Sequence, residues 1–271
     1  MWAKLANLFG EQGQQPVAVD IAVGSEGRPG VELARRGFHV MSVGCGTAAL
    51  QETLACAVAN RAQLEVVSAH AEHDVVRPES ADLVTCMHGM HLLNCEQVLP
   101  EAHRILRQGG KLVVAWNDRD LSSPFIAGLE QALERHMPGY THSDPSHQHY
   151  IHAWTPLLQH RGLFRLAEYH EHSNPVVLEG AEALAEIVEC HGFVRHNLHG
   201  EQRQALLSDV RALARQHYGS GPVLLPLLTR AFELDKASPT YVTLQELLQR
   251  RQQAKRARKQ ASTKRLGVIN T

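Results

Sequence analysis

Residues 16–29 read Pro16-Val-Ala-Val-Asp-Ile-Ala-Val-Gly-Ser-Glu-Gly-Arg-Pro29. The apolar run up to Ile21, broken only by Asp20, reads as a buried strand bounded by turn residues. Ala22 to Gly27 is a small-residue turn. Pro29 stands where the first turn of a helix should begin. Val31, Leu33 and Ala34 carry that helix to Gly37, which suits the left-handed position just past a helix end. Strand, glycine-bearing turn and helix in this order open a βαβ unit. Glycines let the backbone approach a ligand closely, and a helix N-terminus offers unpaired N–H groups. Ligands of such sheets lie at the carboxyl ends of the strands. Taken alone, the turn fits a tight connection as well as a ligand cradle.

The pattern repeats downstream. Phe38 to Val43 reads as a second strand, Thr47 to Ala62 as a second helix, Leu64 to Ser68 as a third strand and Ala81 to Cys86 as a fourth. Glu96 to Arg107 reads as a helix stopped by Gly109-Gly110, and Lys111 to Trp116 as a fifth strand. Alternating strands and helices predict a parallel sheet. Ser123 to His136, Ala181 to Cys190 and Glu201 to Gly219 read as helices, and Phe164 to His172 alternates like an antiparallel strand. Residues 137–160, rich in His, Pro, Ser and Gly, read as an irregular lid.

In order and spacing these segments resemble the class I S-adenosylmethionine-dependent methyltransferases, closest to the type 11, trans-aconitate methyltransferase-like group. Val17 to Pro29 resembles the first motif and His39 to Gly46 the end of the second strand. Ala69-His-Ala-Glu72 resembles the segment along the adenine. Ala81 to Thr85, with His91 beyond, resembles the fourth-strand motif, and Glu101 to Gly110 the family's following helix and turn. The resemblance spans residues 16–236. It implies a three-layer Rossmann-like α/β fold with a seven-stranded, mostly parallel sheet, helices on both faces and a small lid insertion. It also implies S-adenosylmethionine as cofactor and methyl transfer to a small-molecule carboxylate or hydroxyl oxygen.

Carried over position by position, the resemblance puts Asp20, Ala22, Gly24 and Gly27 at the first turn, on the methionine end of the cofactor. Gly44 and Cys45 would face the ribose and adenine, and His70 and Ala71 the adenine. Met87, His88 and His91 would lie near the sulfonium and the acceptor, with His91 and His88 as candidate bases for a hydroxyl. Trp116, Asn117 and His149 are candidate acceptor-binding residues. The pattern also departs from the family. Ala22 replaces a glycine, and Glu26 sits in the turn. Gly44 replaces the acidic residue that accepts both ribose hydroxyls. His70 replaces an aspartate, and the N-terminal closing motif is absent. These departures keep a second reading open: a catalytically inactive or repurposed member that binds a ligand or partner.

Composition narrows the classes. The chain has 271 residues, 44% hydrophobic and 20% charged, ordinary for a soluble globular protein. No run approaches the roughly 18 apolar residues of a membrane helix. The five cysteines form no CxxC pair, which points to reduced thiols and a cytoplasmic setting. His147, His149 and His152, and the loose pair His170 and His172, lack the companion ligands of a zinc motif, so no metal site is expected. Residues 250–271 carry eight basic and no acidic side chains. They read as a basic, unstructured tail behind an acidic body spanning residues 1–249. Lys255 to Lys259 fits a nuclear-import pattern and a generic anion-binding arm alike. The acidic body argues against nucleic acid as a partner except through that tail.

Overall fold

The computed structural model describes residues 15–21, 28–140 and 162–237. Those up to Lys236 belong to one unit. Most of the lid expected at 137–160 and all of the tail at 250–271 lie outside the described residues.

The first strand, β1 (Val17–Ile21), alternates its side chains between two apolar layers. Val19 and Ile21 join a core with Val84, Val114 and Phe232, and Ala18 joins one with Leu33, Phe38 and Val40. Burial on both faces explains why the run is nearly all apolar. Helix α1 (Arg28–Arg35) follows, and Gly37 ends it at φ +88°. The Phe38 N–H bonds the Leu33 carbonyl at 3.2 Å and the Gly37 N–H bonds the Ala34 carbonyl at 3.0 Å. That is a Schellman closure, and the glycine supplies the left-handed turn it requires.

The chain continues through β2 (His39–Gly44), α2 (Thr47–Ala59), β3 (Glu65–Ser68) and β4 (Ala81–Met87). A short 3-10 turn, Met90–Leu92, then leads to α3 (Cys95–Ile105) and β5 (Leu106–Arg119). Next come α4 (Pro124–His136), β6 (Phe164–Ser173), β7 (Val176–Leu178), α5 (Ala181–Cys190), α6 (Gly192–Asn197) and α7 (Gly200–Tyr218). Strands β8 (Val223–Leu225) and β9 (Leu227–Lys236) complete the described elements. The main sheet has seven strands in the order β3-β2-β1-β4-β5-β9-β6. The pairs from β3 across to β5 are parallel, and β9 runs antiparallel to both β5 and β6. Helix α3 packs Val98, Leu99, Ala102 and Ile105 on one face, and α1 covers the other with Leu33. The mixed sheet with helices on both faces is the architecture expected from the sequence.

Two expectations need correction. The helix read as Glu96 to Arg107 ends at Ile105, so Gly109-Gly110 does not stop it. Those glycines sit instead in the irregular lead of β5, where pairing to β4 jumps from Ala81↔Leu106 to Leu83↔Lys111. Gly109 has φ +79°, and a Cβ on Gly110 would lie 2.9 Å from the Arg107 carbonyl oxygen, so both positions require glycine. The second correction concerns the far end of β5, read as closing at Trp116. The strand continues to Arg119, beyond its last contact with β4 at Ala115, paired there only to β9.

Helices α4, α5 and α7 do more than decorate the sheet. Their apolar stripes, with Leu178, Val194, Leu198, Val223 and Leu225, enclose a second core. It includes Leu129, Leu133, Leu184, Leu206 and Val210, together with Met137 and Tyr140 from the start of the expected lid. The described start of the expected lid, residues 137–140, thus packs into a helical cap. Among the described residues no helix is long and apolar enough to cross a membrane.

Candidate functional site

The sheet order changes direction at β1, whose neighbours are β2 on one side and β4 on the other. Chains leave such a point towards opposite faces, and a crevice opens at the carboxyl ends of the strands. Asp20 lies one residue before the end of β1 and is 2% exposed. Its Oδ1 accepts a 2.6 Å hydrogen bond from the Thr85 hydroxyl on β4. The Gly30 backbone N–H in α1 donates to its carboxyl as well. Asp20 thus ties β1, β4 and the first turn of α1 together behind the crevice. Burial pushes its pKa up to about 7, and these two hydrogen bonds only partly oppose that rise. Ser42, its register partner on β2, keeps a buried hydroxyl with no hydrogen-bond partner. The turn residues Ala22, Gly24 and Gly27 lie outside the described residues, as does His149.

At the end of β2, Gly44 is buried and its carbonyl accepts the Ala69 N–H at 3.0 Å. Cys45, the next residue, is exposed with a free thiol. Past β3, His70 is exposed and its ring lies 5.3 Å from that of His73, whereas Ala71 is buried in the core. At the end of β4, Met87 is half-buried. His88 follows with φ +57°, a left-handed conformation that costs a side-chain-bearing residue roughly 1–2 kcal/mol. Strain of this kind concentrates at functional sites. The His88 backbone N–H bonds the Ala115 carbonyl at 2.8 Å. Its ring Nδ1 accepts the Asn117 N–H at 3.3 Å. With Nδ1 accepting, a neutral His88 ring carries its proton on Nε2, so that nitrogen donates. His91 lies in the 3-10 turn. The helix that follows is capped by Asn94, whose Oδ1 accepts the Glu96 N–H at 3.1 Å.

The overhang of β5 sends alternate residues to opposite faces. Trp116 packs against Phe232, with ring centroids 5.4 Å apart, and donates Nε1–H to Asp118 at 3.2 Å. It supports the core and does not line the cavity described next. Asn117 and Arg119 point the other way, towards the cap. Asn117 Oδ1 is held by the Thr229 hydroxyl at 2.6 Å. Arg119 pairs with Glu130 at 2.9 Å and donates to the Tyr140 hydroxyl.

Between this strand end and the cap lies a cavity of about 240 Å³. Its walls are mainly Leu129, Leu133, Leu184 and Val188, and its polar residues are Asn117, Arg119, Tyr140 and His191. A mainly apolar chamber with a few convergent polar groups is the usual form of a small-molecule site. The Asn117–His88 hydrogen bond joins it to the strand-end crevice. Sequence reasoning found Asn117 but missed Arg119, Tyr140 and His191. Arg119 was recoverable in principle, because the period of a strand puts it on the face of Asn117 two residues on. The polar run Asn117-Asp-Arg-Asp120 concealed that the strand continues.

The model of a methyltransferase-domain family matches residues 19–114, from β1 to within β5. Over those residues the chain is similar to the methyltransferase domain. The matched segment contains the ends of β1, β2 and β4 and stops just short of the overhang and the cap. An uncharacterized methyltransferase of Schizosaccharomyces pombe is 42% identical over 57 residues, 21% of this chain and 23% of the yeast protein. The match thus spans less than a quarter of that relative's length. Among solved structures, a candidate methyltransferase of Bacillus halodurans superposes with a TM-score of 0.55 at 20% identity, covering 88% of this chain and 99% of its own. A candidate type II methyltransferase of Anaeromyxobacter dehalogenans gives 0.57 at 16% identity, over 89% and 97% of the two chains. At these identities the likenesses show a shared fold over most of the chain.

Proposed function

We propose that this protein is an S-adenosylmethionine-dependent methyltransferase whose acceptor is a small, largely apolar carboxylate bound in the cavity under the cap. The observation that carries the reading is the placement of that cavity. It is lined by the overhang of β5 just past the matched segment, where the Asn117 N–H bonds the His88 ring beyond the end of β4. The strand-order reversal at β1 opens a crevice suited to an elongated cofactor. Gly44 and Cys45 at the end of β2, His70 beyond β3, and Met87 and His88 at the end of β4 are the described residues that would hold it. When bound, S-adenosylmethionine supplies an electrophilic methyl on a sulfonium that leaves readily as a thioether. An acceptor held in line then needs little further help.

Two features favour a carboxylate acceptor over a hydroxyl. Arg119, with its planar fork of donors, is suited to a carboxylate. The His88 ring, with Nδ1 occupied by the Asn117 amide, presents a donor rather than a base on Nε2. A carboxylate oxygen attacks as its anion and requires no base. His88 Nε2–H can orient that anion, and the leucine walls exclude water from it.

The test is methyl transfer from labelled S-adenosylmethionine to a panel of medium-chain carboxylic acids and matched alcohols. Carboxylic acids are expected to be methylated and alcohols not. Arg119→Met is expected to raise KM for the acid by roughly 10–100-fold, the value of a charge-assisted hydrogen bond, with a smaller change in kcat. Transfer to alcohols alone, or an unchanged KM in Arg119→Met, would contradict the carboxylate assignment.

A further inference from the structure

Far from the crevice, the outer edge of the sheet holds a group of side chains that the methyl-transfer reading does not use. Glu168 and His170 stand two residues apart on edge strand β6, on the same face. Glu168 lies directly opposite Glu233 of β9 in the antiparallel register. Two carboxylates in such a cross-strand pair repel each other unless a cation intervenes. His170 lies beside the pair, its Nδ1 3.7 Å from Glu168 Oε1. Lys111 is shared between Glu233 Oε1 at 2.9 Å and Asp235 at 2.6 Å, and Arg165 takes the other oxygen of Asp235 at 2.9 Å.

Glu233 Oε2 is left buried with no hydrogen-bond partner, on a side chain only 3% exposed. His170 Nε2 is in the same condition, and the two atoms face each other 3.6 Å apart. An N–H···O hydrogen bond spans about 2.7–3.2 Å, so this contact is not one. Two ligand atoms at about 2.1 Å from a tetrahedral ion stand roughly 3.4 Å apart, close to the spacing seen. Glu168 brings a third ligand atom, and all three lie within 4.8 Å of one another. Buried orphan polar atoms are costly, and a single cation between them would satisfy both.

We propose that Glu168, His170 and Glu233 form a binding site for a divalent transition-metal ion of the zinc type, tying edge strand β6 to β9. One imidazole and two carboxylates suit zinc and its first-row neighbours. Magnesium and calcium prefer all-oxygen sites, so the histidine selects against them. The site lies on the outer strands, and its purpose is to fix the sheet edge, independent of the proposed methyl transfer.

The test uses the full-length protein stripped with a chelator and titrated with Co²⁺, read by visible d–d absorption, and with Zn²⁺, read by calorimetry. The chain has 18 histidines, so the informative quantity is the difference between wild type and variants. His170→Gln and Glu168→Gln are compared, with circular dichroism to confirm folding. The wild type is expected to bind one tight equivalent with a low-symmetry Co²⁺ spectrum. Each variant is expected to weaken that equivalent by more than roughly tenfold, since loss of even an outer-shell partner costs about 10–100-fold. Zn²⁺, but not Mg²⁺, should raise the melting temperature of the wild type, and the rise should vanish in Glu168→Gln. Absence of a tight equivalent, or equal affinity in wild type and both folded variants, overturns the proposal. His170 would then serve as the proton-bearing partner of Glu233.

Discussion

Raising the pH from about 4 to about 7 is expected to weaken the folded protein by up to roughly 4 kcal/mol through Asp20 alone, and Asp20→Asn is expected to abolish that slope. Burial pushes the Asp20 pKa from 3.8 to about 7. Across that window the folded carboxyl keeps a proton that the unfolded chain has released. The sign follows from linkage. The folded state binds more protons, so its advantage is complete below the unfolded pKa and is lost as pH rises through the folded one. Each tenfold difference in proton affinity between the two states corresponds to about 1.4 kcal/mol. Asparagine keeps the shape and cannot ionise, so its stability should be nearly flat over the same range. Urea melts of wild type and Asp20→Asn between those pH values check this. Parallel curves would mean that Asp20 ionises in the folded state at an ordinary pKa.

Arg230→Met is expected to destabilise the protein by about 3 kcal/mol, and adding Asp118→Asn should recover much of that loss. Arg230 on β9 donates to Asp118, whose side chain is 3% exposed, and to Glu171 at 2.8 Å. The Tyr169 hydroxyl also donates to Glu171, at 2.9 Å. Burial first, and the neighbouring Glu171 carboxylate second, push the Tyr169 pKa up to about 12, so this phenol stays protonated as a donor. Removing the guanidinium strands the Asp118 carboxylate in a buried place, and breaking a buried pair from one side costs about 3–5 kcal/mol. The lower figure applies because Trp116 Nε1 still donates to Asp118 at 3.2 Å. Removing both charges together avoids the stranded ion. Denaturant melts of the two single variants and the double variant give the coupling. If the losses simply add, the pair does not stabilise the sheet edge.

The parts of this molecule legible in the sequence are those fixed by local pattern. The β1 run, the Gly37 stop and the amphipathic stripe of α4 each follow from a few neighbouring residues, and the structure shows them where they are expected. The parts that stayed hidden depend on pairing across distance. Gly109-Gly110 has the composition of a helix stop, but its role is to let the chain pass close to β4, which only the sheet register reveals. Arg119 reads as loop because its neighbours are polar, although β9 extends the strand to meet it. Glu233 has no evident partner in its own strand until the register places it opposite Glu168 and near His170. The pair His170 and His172 carries too few companions in the sequence to suggest a metal, and Glu233, which faces His170, lies on a strand more than 60 positions away. Tyr140 falls in a segment rich in loop formers, and its burial comes from the cap that α4, α5 and α7 build around it.

Methyl transfer at this site requires the crevice at the strand ends to hold S-adenosylmethionine despite the glycine at position 44. Calorimetric titration of the full-length protein with S-adenosylhomocysteine is the decisive experiment, with Gly24→Arg in the glycine-bearing turn as the control. Micromolar binding at one site is expected, and its loss in a folded Gly24→Arg variant. A folded wild-type sample that gives no heat at millimolar ligand would contradict cofactor binding, and with it the proposed activity.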